Sequence, residues 1–371
     1  MLLMSSNLTR DAVSRLKPYI PGKPIDEVKR ELGLTDVIKL ASNENPLGAS
    51  PKALAAMREA IKTTRLYPDN ECFELKRALS VQLGFPPHQI IIGRGSDEVI
   101  HMLGIAFLRP GDEVLMPSNP FVLYEFTSDL MEAELVRVPL KDYRYDLEAM
   151  AERLTPRTKL VFLANPNNPT GTIVSQQEVE KFIARMGENT ILVMDEAYYE
   201  YAEDPDYPRS LEFVRQGKNV VVLRTFSKIY ALAGLRVGYG VANEQLSAAL
   251  NQVREPFNVS GVAQAAALAS LSDPKQVERS VKVNNQGKKY LYKELRKLKK
   301  LGVQYVPTQA NFIFVDTGQD GQKVAFELLK RGIIVRFDPA FKYPSCFRVT
   351  VGTREQNKRF MGAMTEIIKA L

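Results

Sequence analysis

Three short stretches limit what this chain can become. Leu160-Val161-Phe162-Leu163-Ala164, Ile191-Leu192-Val193-Met194 and Val220-Val221-Val222-Leu223 are apolar without interruption. They are too short for helices, and they do not alternate with polar residues as half-buried strands do. Short apolar runs rich in Val, Ile and Leu and bounded by polar turns fit strands covered on both faces. The intervals between them leave room for crossover helices, such as the helical pattern at 175–186. Segments 89–93, 112–117, 133–138 and 238–242 read as further strands. The result is an α/β chain whose core is a mostly parallel sheet with helices packed on it.

The 371 residues give room for about two domains. After about residue 256 the pattern changes. An Ala-rich helix (262–271) and a long charged helix (273–300) precede β segments at 310–315, 332–336 and 346–351. A helix near 322–331 and a last helix from about 354 complete an α+β unit. Residues 1–48 hold few strands and several Pro and Gly, and are expected to cross from the second unit to the first. The expected division is an arm plus part of the small domain (1–48), a large domain (49–255) and a small carboxy-terminal domain (256–371).

Composition removes several classes of function. Only two histidines are present, His88 and His101, and two cysteines, Cys72 and Cys346. A multi-histidine or Cys-rich metal site is therefore not expected, and acid–base work falls to Lys, Tyr or carboxylates. No run approaches the ~20 apolar residues of a membrane span. The start lacks a basic n-region, so a signal peptide is not expected either, and the location is expected to be cytoplasmic. Lys and Arg (50) exceed Asp and Glu (43), for a net charge of +7. Much of the excess lies in 287–300, where Leu291, Leu295 and Leu298 make one apolar helical stripe. The lysines cover the opposite, solvated face, so no nucleic-acid partner is expected.

Polar groups gather where the apolar strands end, the place where open α/β sheets bind ligands. The first run leads into Asn165-Pro166-Asn167-Asn168-Pro169-Thr170-Gly171, a stiff turn that presents Asn168. The second ends in Asp195-Glu196-Ala197-Tyr198. Asp195 there reads either as a helix cap or as a carboxylate awaiting a cation. The third is followed by Thr225-Phe226-Ser227-Lys228, with Arg236 eight residues on. Lys228 reads either as a solvated strand-end charge or as a reactive amine beside an anion site. Taken together the turns favour the chemical readings. A Lys forms a Schiff base with an aldehyde cofactor, and an Asp pairs with its protonated pyridine nitrogen. Asn168 and Tyr198 suit its ring oxygen. Thr225, Ser227 and Arg236, with Gly95, Ser96 and Asp97 at a helix start, suit its phosphate. The cofactor implied is pyridoxal phosphate.

The strings NPNNPTG, DEAYYEY and TFSKIYALAGLRVGYG resemble the fold-type I pyridoxal-phosphate aminotransferases, in order and over essentially the whole chain. SNENPLGASP, LYPD, GRGSDE, FRVTVGTRE and LKPYIPGKPIDEVKRELGL are similar, within that group, to the histidinol-phosphate aminotransferases. The resemblance implies a large cofactor domain with a seven-stranded sheet, a smaller α+β domain and a homodimer with shared active sites. It implies that Lys228 carries the Schiff base and the proton, Asp195 holds the pyridine nitrogen, and Asn168 and Tyr198 hold the ring oxygen. Gly95, Ser96, Asp97, Thr225, Ser227 and Arg236 would form the phosphate cup, and Phe121 would stack on the ring. Tyr67 would reach the phosphate of the neighbouring subunit's cofactor. Arg348 would bind an α-carboxylate. Arg336, helped by Tyr19 and Asn45, would bind the substrate phosphate or the side-chain carboxylate of glutamate.

The activity implied is ping-pong transamination between histidinol phosphate plus 2-oxoglutarate and imidazole acetol phosphate plus glutamate, in histidine biosynthesis. An aromatic amino acid aminotransferase of the same architecture is the alternative. A related lyase such as a threonine-phosphate decarboxylase is a third enzyme. A transcription regulator built on this fold would need a winged-helix domain for which the chain has no length to spare.

Overall fold

The computed structural model describes residues 8–16 and 22–371, so Tyr19 lies outside the described residues. Among the described residues twelve strands are formed: β1 (Ile38–Lys39), β2 (Ile90–Gly93), β3 (Glu113–Pro117), β4 (Glu134–Val138), β5 (Thr158–Ala164), β6 (Ile191–Asp195), β7 (Val220–Thr225), β8 (Gly238–Ala242), β9 (Gln304–Val306), β10 (Phe312–Asp316), β11 (Ile333–Ile334) and β12 (Cys346–Thr350). Seven make one sheet in the order β2-β8-β7-β6-β5-β3-β4. Only β8 runs against the others.

The uninterrupted apolar runs have a simple cause. Successive strand side chains point to opposite faces, and both faces are covered. Val161, Leu163, Leu192, Met194, Val220 and Val222 enter one core. Their neighbours Leu160, Phe162, Ile191, Val193, Val221 and Leu223 enter a second, on the other side of the sheet. Each fully buried side chain of this size is worth about 1.5–3 kcal/mol, so a polar residue in any of the three runs would be costly on either face.

The Ala-rich helix Gly261–Leu271 contributes Ala263, Ala266 and Ala267 to the first core, packed on helices Pro51–Ala60 and Phe73–Leu83. The pattern change at about 256 therefore precedes the change of core. The small unit holds the antiparallel sheet β12-β10-β9 and a third core of Leu291, Leu295, Leu298, Ile313, Val315, Val349 and Phe360. The 24-residue helix Pro274–Lys297 reaches both cores, with Val277 and Val281 against the first and Leu291 and Leu295 in the third.

The segment expected as one strand over 332–336 changes partner midway. Ile333 and Ile334 pair with β1, whereas Arg336 makes a single antiparallel bridge to Arg348 of β12. Residues 40–50 cross to the large unit, as Leu40 bonds Ile334 and Ser50 caps helix Pro51–Ala60. Among the described residues no helix is long and apolar enough to cross a membrane, and no cluster of His, Cys, Asp or Glu could hold a metal.

Candidate active site

A cavity of about 330 Å³ opens where β2, β3, β5, β6 and β7 end and the small unit faces them. Ser96, Asp97, Phe121, Asn168, Asp195, Tyr198, Thr225, Ser227, Lys228, Arg236, Arg336 and Arg348 all line it. The strand-end turns of the sequence thus converge on one space.

One end is built for an anion. Helix Ser96–Phe107 starts there, directing its unpaired N–H groups at the cavity. Gly95 has a φ of 78°, and a Cβ on it would lie 2.7 Å from the Arg236 guanidinium. A Cβ on Gly238 would meet the Ser96 nitrogen at 2.5 Å. Glycine at both positions lets the helix start and Arg236 close around a small ligand. Arg236 donates to Ser227 Oγ at 3.2 Å and to Asp97 at 2.8 Å. Ser227 N–H donates to Thr225 Oγ1 at 3.0 Å.

At the centre, Asp195 is buried at the end of β6. It accepts from the Tyr124 hydroxyl at 2.7 Å and the Ala197 N–H at 3.2 Å, and among the described residues from no cation. Burial pushes its carboxyl up from 3.8 to about 6, against the Tyr124 bond, which lowers it. A buried carboxylate in this state favours a cationic partner, and a protonated pyridine nitrogen is one. Tyr124 is held by Phe162, stacked on it at 4.3 Å, and stands edge-on to Phe121 at 5.6 Å. Below, Glu196 pairs with buried Arg224 at 2.8 Å and the Tyr199 ring lies 3.6 Å from the guanidinium carbon. These contacts of the DEAYYEY string tie the ends of β6 and β7 together.

Lys228 Nζ donates to the Ser42 carbonyl at 3.1 Å and lies 5.7 Å from the Tyr198 ring centre. Among the described residues it is the only lysine on the cavity wall. Opposite, Arg348 donates to Asn168 Oδ1 and to the Ala41 carbonyl. Arg336 and Arg348 exchange backbone bonds of 3.0 and 2.8 Å, which sets the two guanidinium groups side by side on the strand pair. Arg336 also donates to Asp338 at 2.5 Å. Anion cup, acidic centre, single amine and paired arginines fit pyridoxal phosphate and an acidic substrate.

One residue, Asn45, stands elsewhere than the sequence suggests. Asn45 was expected in the substrate pocket, but its amide donates to the Ile229 carbonyl and Ser280 Oγ at 2.8 and 2.9 Å, and it is not on the cavity wall. A buried amide is committed to partners of this kind, and these staple the crossing segment to helix Pro274–Lys297. Tyr67 is 83% exposed and stacks on Phe257 at 4.8 Å, away from its own chain's cavity. Three functional cavity residues escaped the sequence reading: Tyr124, Asp338, and Asn43, which donates to the Tyr198 hydroxyl at 2.8 Å. Asn43 lies in the same SNENP string as Asn45, and nothing in the string alone separates their roles.

The comparisons agree with this geometry. Residues 35–364 match the model of "Aminotransferase class I and II". The chain is 51% identical over 97% of its length to a histidinol-phosphate aminotransferase of Moorella thermoacetica, covering 92% of that protein. It is 47% identical over 98% of its length to histidinol-phosphate aminotransferase 2 of Carboxydothermus hydrogenoformans, covering all of it. Among solved structures, the histidinol-phosphate aminotransferase of Sinorhizobium meliloti in complex with pyridoxal-5'-phosphate superposes with a TM-score of 0.90 at 27% identity, over 99% of each chain. With its family model matched almost end to end and its strand-end groups gathered in one cavity, the chain belongs to the class I and II aminotransferases.

Proposed function

We propose that the protein is a pyridoxal-phosphate-dependent histidinol-phosphate aminotransferase, interconverting histidinol phosphate plus 2-oxoglutarate and imidazole acetol phosphate plus glutamate. The observation that carries the substrate is the Arg336–Arg348 bridge: two guanidinium groups face the same cavity as Lys228 and Asp195. The names of relatives at 51% and 47% identity support it.

Pyridoxal phosphate, when bound, would supply an electron-withdrawing ring able to carry an amino group between two substrates. Ser96, Asp97, Thr225, Ser227 and Arg236, with the Gly95 turn, would hold its phosphate. Asp195, kept in place by Tyr124, would hold a proton on the pyridine nitrogen. Asn168 and Tyr198 would hold the ring oxygen, and Phe121 would pack against the ring. Lys228 would bind the cofactor through its amine and move a proton at the substrate carbon. Arg348 takes the α-carboxylate of glutamate. Arg336 takes the phosphate of one substrate and the side-chain carboxylate of the other, because its planar fork accepts either set of oxygens.

The enzyme works as a cytoplasmic homodimer in which Tyr67 serves the neighbouring subunit's phosphate. The exposure of Tyr67, Phe257, Ile61, Leu66 and Phe73 supports a covered face there. Amino donors added one at a time to the cofactor-loaded protein test the substrate by the change in cofactor absorbance. Histidinol phosphate should react far better than histidinol, phenylalanine or tyrosine. An aromatic amino acid as best donor would replace this reading with the aromatic aminotransferase.

A further inference from the structure

We propose that Asn43 is a positioning residue that fixes the direction of the Tyr198 hydroxyl, so that its hydrogen points into the cavity. The inference rests on the reading of Tyr198 as the group that meets the cofactor's ring oxygen. Asn43 is 1% exposed and has a φ of 56°, in the left-handed region that Asn tolerates better than most residues. A side chain kept there is held by its surroundings. Its N–H donates to Thr350 Oγ1 at 3.0 Å, its carbonyl accepts from Asn311 Nδ2 at 3.0 Å, and its Nδ2 donates to Tyr198 Oη at 2.8 Å.

The direction of the last bond follows from Thr350. That residue is 3% exposed, and its oxygen already accepts the Asn43 N–H. Its own hydrogen needs an acceptor, and Asn43 Oδ1 lies 3.3 Å away. With Oδ1 turned to Thr350, the amide nitrogen is the end left for Tyr198. A phenol has one hydrogen. Having accepted from Asn43, Tyr198 directs that hydrogen elsewhere, and its ring cannot swing away because it is buried edge-on to Phe312 at 5.1 Å. Among the charged groups of the surrounding wall, Lys228 and Arg348 are donors only when charged. Of the carboxylates on the wall, Asp195 is engaged by Tyr124, Glu44 by Lys39, Asp97 by Arg236 and Asp338 by Arg336. The cavity is therefore where the hydrogen goes. A donor at the cofactor's ring oxygen favours that oxygen's charged form and lowers the proton affinity of the neighbouring nitrogen. Through Thr350, this setting is governed from β12 in the small unit.

Asn43→Asp tests the direction, because it keeps the shape and backbone preference but replaces the donor with an acceptor. Tyr198 then donates to the new carboxylate, and the cavity loses its donor. In cofactor-loaded protein the pH midpoint of the cofactor's visible absorbance should rise by about one pH unit. Tyr198→Phe should raise it as well, and adding Asn43→Asp to Tyr198→Phe should move it little further. Thr350→Val, which frees the amide to turn, should shift the midpoint in the same direction and provides a second route should Asn43→Asp not fold. An unchanged midpoint in Thr350→Val and in any folded Asn43→Asp overturns the role of Asn43. So does a full shift from Asn43→Asp that survives in the Tyr198→Phe background. An unchanged midpoint in Tyr198→Phe overturns the reading of Tyr198 itself, and the inference with it.

Discussion

The two walls of the cavity are held in different ways. On the large sheet, Ser96, Phe121, Asn168, Asp195 and Lys228 follow the ends of strands packed on both faces. Their supports are dense: Asp195 is held by Tyr124, and Tyr124 by Phe162 in the core. On the facing wall, Arg336 meets Arg348 across a backbone bridge and pairs with Asp338, which also caps the short turn Pro339–Phe341. The first wall suits a group that never changes. The second, on the proposed reading, meets an anion that alternates between phosphate and carboxylate. The constant group would meet side chains held through the large core, and the changing anion an arginine pair carried by the small unit.

Substitutions on the first wall should show the largest losses. Lys228→Ala should bind the cofactor yet lose turnover almost entirely, since among the described residues no other lysine lines the cavity to take over the proton. Normal single-turnover rates in that variant would remove the amine from the mechanism. Asp195→Asn should lower kcat by several orders of magnitude, roughly the 4 kcal/mol that one member of a buried charge pair is worth.

Asp195 also makes a prediction about pH. Its carboxyl is raised to about 6 in the fold, against 3.8 ordinarily. Between those values the folded cofactor-free chain binds a proton that the unfolded chain has lost. Its stability therefore falls as pH rises through that window, by up to about 3 kcal/mol, and stays lower above it. Cofactor-free Asp195→Asn should accordingly unfold at a higher temperature than the parent at pH 8, with the gap closing towards pH 4. Calorimetry showing the same gap at both pH values would mean that Asp195 is not strained by burial.

On the second wall the losses should be smaller and depend on the substrate. Arg336→Ala should cost histidinol phosphate about 2–4 kcal/mol in kcat/KM and leave phenylalanine, as donor, nearly unaffected. Arg336→Lys should also be harmful, because a point charge lacks the fork. Equal losses for both donors would assign Arg336 to the fixed wall and break the comparison. The smallest change expected is a gain. Asp338→Asn relieves Arg336 of a competing carboxylate, so KM should fall roughly threefold to tenfold for histidinol phosphate and glutamate alike. Unchanged KM values would show that the Asp338 pair serves the turn and not the substrate.

The same contrast decides what could be read in advance. Strands buried on both faces write themselves as unbroken apolar runs, and β5, β6 and β7 end within two residues of those runs. The turns after them could be recognised because Asp195 and Lys228 interrupt apolar sequence. Tyr124 gave no such signal. It sits in helix Val122–Leu130, where an aromatic residue is ordinary core material, and only the fold brings its hydroxyl to Asp195. Asn43 and Asn45 are separated by one residue, yet only one faces the cavity; a tight, irregular backbone carries no periodicity from which to tell them apart. Likewise the halves of 332–336 have different partners because β1 and β12 approach from different parts of the chain.

The helix Pro274–Lys297 has a mechanical consequence. Its 24 residues make a rod of about 36 Å, clamped at one end by the large core and at the other by the small one. Gly287, near its middle, lies so close to β12's exit that a Cβ would meet Val351 at 2.4 Å. A lever held in this way converts angle into travel: flexing one half by about 10° sweeps its tip by about 3 Å, two helical residues' worth of rise. That stroke matches the length of a hydrogen bond. A modest bend in one rod is thus enough to change which groups of the two units can touch.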